Sequence, residues 1–282
     1  MYLPNGGRDL IIDGDRFNKS HILSVGSPVY AFYLYKTLGV FSTAADIPSN
    51  PLTGTPLSVG GTNPFKPGDF YLADLDGDYM IDPFNDGINS DKKAIGDPNP
   101  KFTGGWTNNF TYKQFTLGLF FTFTFDRDVL DLFKSDQFNN FSGSGTGNLG
   151  GLGINAINVL ANYALPDLSK LDIWKKSGDQ AQYANLDIGS YRYYYRSDQT
   201  FFLTKGDYVR LKSLSLSYDL PTGKLKKAKV DRFRVFGVVD NLARWQRSKD
   251  LPDAEAVNAY GEYSGNGYPI PKKFTLGLEV NF

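Results

Sequence analysis

Four aspartates crowd the stretch ADLDGDYMID: Asp74, Asp76, Asp78 and Asp82, with Gly77 between them. Carboxylates at alternate positions around a glycine bend are the way oxygen-ligand calcium loops are built. Here the glycine falls at the fourth position rather than the sixth, and no glutamate stands at the twelfth, so a helical-hand site is not the match. Two readings stay open: a Ca2+-stabilised loop, or a solvated acidic turn whose aspartates accept from their own backbone. A second group is SYRYYYRSD, where Tyr191, Tyr193, Tyr194 and Tyr195 stand beside Arg192 and Arg196. Tyrosines so placed can stack on a glycan or bond a peptide, and equally can pack a loop or sit at a membrane interface. Catalysis finds little to work with. There is no cysteine and one histidine, which removes thiol chemistry, a Ser-His-Asp relay and a multi-histidine zinc site. No carboxylate pair stands in an acid/base frame, so the chain reads as a non-enzyme, with His21 as a loop or rim residue.

The elements that must carry these residues read as strands. In FTLGLFFTFTF the residues Phe115, Leu117, Leu119, Phe121, Phe123 and Phe125 share one face, opposite Thr116, Gly118, Phe120, Thr122 and Thr124. The preceding KFTGGWTNNF places Phe102, Trp106 and Phe110 together, and the short step between the two predicts a tight hairpin. A second hairpin joins GDYVRLKSLSLSYDL to DRFRVFGVVDNL; its apolar parity slips between Leu211 and Leu214, as a β-bulge would cause. The closing KKFTLGLEVNF puts Phe274, Leu276, Leu278, Val280 and Phe282 on one face and Glu279 on the other. With PVYAFYLYKTLGVF, whose alternation is weaker, the expected strands lie near 28–38, 102–111, 115–126, 206–218, 231–244 and 273–282.

Connections alternate between long and short. Long polar stretches run from Phe41 to Lys101, from Asp126 to Lys205 and from Gln246 to Pro271, while the hairpin turns are brief. Outer-membrane barrels show this asymmetry, with long extracellular loops and short periplasmic turns. Strands of about ten residues suit a tilted bilayer crossing, with apolar residues toward lipid and Thr, Ser, Gly, Asn and Glu toward water. Phe102, Phe125, Tyr218, Phe274 and Phe282 would serve as interfacial aromatics. A soluble β-sandwich alternates too, and aromatic content of 15% with the loop asymmetry favours the barrel. Thirty basic residues balance thirty acidic ones, which gives no pull toward nucleic acid, and the basic turn KLKKAKVDRFR lacks the interleaved aromatics that single strands require. No run of about 18 apolar residues encodes a membrane helix, and MYLPNGGRDL is not a signal peptide.

Longer segments resemble the SusC/RagA-like TonB-dependent outer-membrane transporters of Bacteroidetes. SVGSPVYAFYLYKTLGVF, KPGDFYLADLDGDYMID, IGDPNPKFTGGWTNNFTYKQFTLGLFF, FLTKGDYVRLKSLSLSYDLP, FRVFGVVDNLARW and YPIPKKFTLGLEVNF follow that family's order from Val25 to Phe282. The resemblance implies an all-β membrane barrel, with this chain supplying about the last six antiparallel strands of 22. It further implies import of oligosaccharides or peptides, a plug domain driven by TonB, a SusD-like lipoprotein lid and an outer-membrane location. Plug and amino-terminal strands are not encoded, so a second polypeptide or a missing part of the gene is expected to supply them. Phe274 to Phe282 would then form the assembly signal and closing seam. Two other readings are a structural or adhesion barrel component, and a secreted carbohydrate-binding sandwich.

Overall fold

A computed structural model describes residues 9–12, 20–82, 91–141, 167–186, 196–221, 223, 229–265 and 267–282. The chain forms two compact units, one of residues 100–129, 204–257 and 266–282, the other of residues 1–99, 130–203 and 258–265.

The first unit is built on one antiparallel sheet of long strands: β1 (Phe102–Tyr112), β2 (Phe115–Phe125), β3 (Tyr208–Asp219), β4 (Arg232–Gln246) and β5 (Lys273–Asn281), hydrogen-bonded in that order. Only Lys113 and Gln114 separate β1 from β2, and Lys113 takes φ +53°, the left-handed geometry of a tight hairpin turn. Alternation in the sequence becomes two faces of opposite character. Rows such as Trp106–Phe121–Leu211–Ala243 and Leu117–Leu216–Gly237–Leu276 run across the strands on one side. That side is also the exposed one: Phe102, Trp106, Phe110, Phe115, Leu216, Val235, Trp245, Phe274, Leu276, Leu278 and Phe282 all lie open on it. Phe120, opposite Thr107 and Ser213, is the exposed large apolar side chain of this sheet that points the other way. Register shifts fall between Leu211 and Ser213, where the parity slip in the sequence places a bulge. The extra residue keeps Leu211 and Leu214 on the apolar side and adds Lys212 to the polar one.

On the polar side, most cross-strand pairs carry a hydroxyl, a glycine or a charge, with Phe120, Phe236 and Val238 set among them. Thr103 meets Thr124 at 3.3 Å and Thr111 meets Thr116 at 3.4 Å. Phe236 stands opposite Gly277, and a Cβ there would come within 2.2 Å of its ring, so the glycine makes room for the aromatic. Aromatics collect at the strand ends: Tyr112, Phe115 and Tyr218 beside the short turn, Phe102, Phe125 and Trp245 beside the long connections. Phe274 departs from that expectation, because the register sets it against Val239, which itself faces Leu214, well inside the sheet.

The second unit corrects the reading of the long stretches as plain loops. The first two of them supply most of a core of Phe32, Leu34, Tyr35, Phe41, Leu57, Phe65, Phe70, Leu72, Ile81, Leu130, Phe138, Ala184 and Phe202. The strand expected near 28–38 belongs here and not to the long sheet. It is split into Ala31–Tyr35, which pairs with His21–Ser24 and Lys92–Ala94, and Thr37–Val40, which pairs with Phe70–Leu72. All five residues of Ala31–Tyr35 are buried; a strand covered on both faces has no need to alternate, and its weak period reflects that. The long sheet therefore has five strands rather than six among the described residues. Helix α1 (Leu132–Phe141) opens on Asp131, which accepts the Lys134 N–H at 2.9 Å, and delivers Phe138 to the core. Gly68, at φ +92°, lies under the Trp174 ring, where a Cβ would come within 2.5 Å. A left-handed backbone and that contact both require glycine.

Candidate functional site

The acidic loop is a run of turns first. Asp74 accepts the N–H of Gly77 at 2.7 Å and of Tyr79 at 2.8 Å, Asp76 that of Asp78 at 3.3 Å, and Asp78 that of Met80 at 2.8 Å. Gly77 and Tyr79 take φ of +80° and +64°, so the chain coils tightly enough for every second side chain to fold back. Coiling brings one oxygen each of Asp74, Asp76 and Asp78 within 4.8 Å of one another, a spacing a hard cation can bridge. Asp82 stands outside that trio. Its backbone is used instead, the N–H donating to Asp91 and the carbonyl accepting from the Tyr35 hydroxyl. Mutual repulsion is felt here: burial first, and then Asp76, Asp74 and Asp82, push the Asp78 carboxyl upward against the Met80 N–H.

Asp91 was missed by the sequence reading, and it is the residue that closes this loop. Fully buried, it accepts Leu75 N–H at 3.0 Å and Asp82 N–H at 2.9 Å, tying the two ends of the acidic stretch together. Burial pushes its carboxyl up to about 6; the two N–H donors oppose the rise, and Asp76 and Asp82 add to it. A folded-state value above the ordinary 3.8 means that the folded chain holds this proton more tightly. Stability therefore falls as pH rises through the window from about 4 to about 6, by about 3 kcal/mol at most. Chemical unfolding of the wild type and Asp91→Asn between pH 4 and 7 measures this: Asp136, also pushed up to about 6 by burial, titrates in both, and the wild type should lose about that much more than the variant. A difference between them that does not change with pH would contradict it.

The other histidine and tyrosine expectations meet different fates. His21 is not a loop or rim residue but sits buried in a strand, its Nε2 2.9 Å from the Tyr260 carbonyl and its Nδ1 3.0 Å from Ser20 Oγ. Tyr191, Tyr193, Tyr194 and Tyr195 lie outside the described residues.

Charge on the long sheet is confined to its polar side. Near the short-turn end, Arg234 is the cross-strand partner of both Asp219 and Glu279; Arg232 Nε lies 2.8 Å from Asp219, and Glu279 is 3.8–4.0 Å from the two arginines. Glu279, the one carboxylate of β5, is thus set among cations. Near the other end, Arg210 and Arg244 face each other across β3 and β4. Two like charges so placed repel, and a carboxylate settles them. Asp253 lies 2.7 Å from Arg210 and 2.8 Å from Arg244, while Glu255 lies 2.5 Å from both Arg210 Nε and Lys212 Nζ. Burial works against the Asp253 charge, but the Arg210 guanidinium, the Glu255 N–H and Arg244 hold its carboxyl below the usual range.

No family model matches the chain. In sequence it is 28% identical over 292 residues to TonB-dependent receptor P3 of Formosa agariphila, and 25% identical over 289 residues to TonB-dependent receptor P26 of the same organism. These alignments cover 99% and 97% of this chain but 25% of each relative, so the chain spans a quarter of their length. Among solved structures it is similar to the RagAB peptide transporter (TM-score 0.63, 17% identity, 99% of this chain and 25% of that one). It is likewise similar to the RagAB peptide importer in its open-open state (TM-score 0.60, 18% identity, 100% and 25%). At such identities the second likeness is one of fold. The chain is thus similar in sequence, over nearly its whole length, to TonB-dependent receptors, and similar in fold to part of RagAB.

Proposed function

We propose that this chain forms wall and extracellular loops of a TonB-dependent outer-membrane transporter, its five long strands belonging to a 22-stranded barrel. One observation carries this reading: a single sheet whose exposed side is predominantly apolar while its other side is mostly hydroxyl, glycine and charge. An apolar surface of that extent needs a cover, and lipid covers it without further contacts. β1 and β5 each have one edge without a partner strand among the described residues. Open edges are not tolerated in lipid and five strands cannot enclose a lumen, so the remaining strands come from the rest of the receptor. Terminal-strand residues Phe274, Leu276, Leu278, Val280 and Phe282 act as the seam and assembly signal. The plug, its TonB contact and a SusD-like lid are the parts with which this wall works. The cargo is oligosaccharide or peptide, and peptide is favoured by the likeness to a peptide importer.

Membranes carrying the chain, washed with alkaline carbonate, test the reading. Retention in the pellet and release only by detergent are expected; release by carbonate would mean that the apolar side meets protein instead of lipid.

A further inference from the structure

The segment Arg247–Val257, which leaves β4 at its long-connection end, lies as a strap against the polar side of its own sheet. Gln246 holds its start, donating to the Ser248 carbonyl at 2.9 Å and to the Leu251 carbonyl, and accepting the Ala254 N–H at 3.3 Å. Arg127 donates to the Ala254 carbonyl. Leu251 and Ala254 are buried. Its two carboxylates, Asp253 and Glu255, then fill a site made by three cations of the wall, Arg210, Arg244 and Lys212.

Three features set this site apart from an ordinary loop tether. The wall gathers like charges at a cross-strand pair, which is unfavourable unless an anion is present. The bulge gives up regular pairing and places Lys212 on the same side, where it meets Glu255. Glu255 Oε2 and Arg210 Nε, although 2.5 Å apart, are misaligned and make no hydrogen bond. The cations stand on strands of the sheet, the anions belong to a strap, and their fit is imperfect. Arg210 is nearly fully buried, so the strap leaves at high cost unless another anion takes its place. Lys212 and Arg244 are each about a quarter to a third exposed, which gives such an anion its way in.

We infer that Arg210, Arg244 and Lys212 form a carboxylate-binding site for acidic peptides, held in the absence of ligand by Asp253 and Glu255 of the strap. The ligand and the strap compete, so binding lifts the strap. This rests on the proposed function only in needing water on the polar side; it is read on a different face from the carbonate extraction, so either can fail alone.

The test is amide hydrogen exchange of Leu251–Glu255 in the full chain in detergent, with tri-glutamate as probe and tri-lysine as control. Tri-glutamate should speed exchange of these amides in the wild type, and tri-lysine should not. The pair Asp253→Asn and Glu255→Gln removes the internal competitor; it should exchange fast without ligand and bind tri-glutamate roughly tenfold more tightly. Lys212→Gln, a milder change at a partly exposed position, should weaken tri-glutamate binding while the fold stays intact. No acceleration by tri-glutamate in the wild type overturns the proposal, and so does an unchanged affinity in either variant.

Discussion

Asp198→Asn should lower the stability of the loop-built unit by about 3–5 kcal/mol, because it leaves two buried cations without an anion. Lys92 and Asp198 are fully buried and Arg196 nearly so. The carboxylate takes the Lys92 ammonium on Oδ2 and the Arg196 fork on both oxygens, at 2.8 and 2.7 Å. Tyr35 lies beneath both cations, 4.8 Å from Lys92 Nζ and 5.2 Å from the Arg196 guanidinium. Burial opposes the Asp198 charge, yet Arg196 and Lys92 overcome it and hold the carboxyl at about 2. A depressed folded-state value gives stability that is present above the ordinary 3.8 and lost as pH falls through about 2, so the cluster is intact at any physiological pH. Its position explains the size of the effect. The Asp198 carbonyl accepts the Tyr35 N–H at 3.0 Å and Thr200 Oγ1 accepts the Thr37 N–H at 2.9 Å, so the cluster joins the 196–202 segment to the central buried strand. Urea unfolding of the variant measures the loss, and a change below about 1 kcal/mol would show that the cluster is not a single unit.

A second large effect is expected on the long sheet, where a substitution tells lipid from water. Leu276 is 88% exposed. If water covered that side, Leu276→Arg would be neutral or would improve solubility, since exposed positions without partners tolerate charge. In a bilayer the same change places a guanidinium in the apolar band and should cost up to about 2–4 kcal/mol. Thr275→Arg, one residue away on the polar side, should cost far less. Unfolding of the two variants in lipid bilayers gives the comparison; equal behaviour would remove the distinction between the two faces on which the account depends.

Legibility in the sequence followed the physics of burial. Strands β1, β2, β3, β4 and β5 were readable because each has one apolar side and one polar side, and a period of two survives along their whole length. Even the bulge at Lys212 was visible, since a single extra residue flips parity. Ala31–Tyr35 was legible as a strand but not in its sheet, and the buried place of His21 was not legible, because residues buried on all sides carry no period and the long connections between strands conceal their partners. Asp91 and Asp198 look like any loop aspartate until the chain folds. What marks them is distance in sequence: Asp91 serves Leu75, and Asp198 serves Lys92. The acidic stretch at Asp74 was conspicuous for the opposite reason, as its hydrogen bonds are nearly all local. The cation site at Arg210 had no sequence signal, because its three members become neighbours only through strand register.

The chain has three tryptophans, and they sample the two environments. Trp106 and Trp245 lie exposed on the apolar side of the long sheet, while Trp174 packs over Gly68 in the loop-built unit and donates to the Ser42 carbonyl at 3.2 Å. Single-tryptophan variants, with the other two replaced by phenylalanine and the chain assembled with the rest of the receptor freed of its own tryptophans, can be reconstituted in liposomes of brominated phosphatidylcholine and compared with the unbrominated lipid. Bromine quenches only on close approach to the indole. Strong quenching of Trp106 and Trp245 with none at Trp174 is expected if lipid covers the apolar side; unquenched Trp106 and Trp245 would mean that it does not.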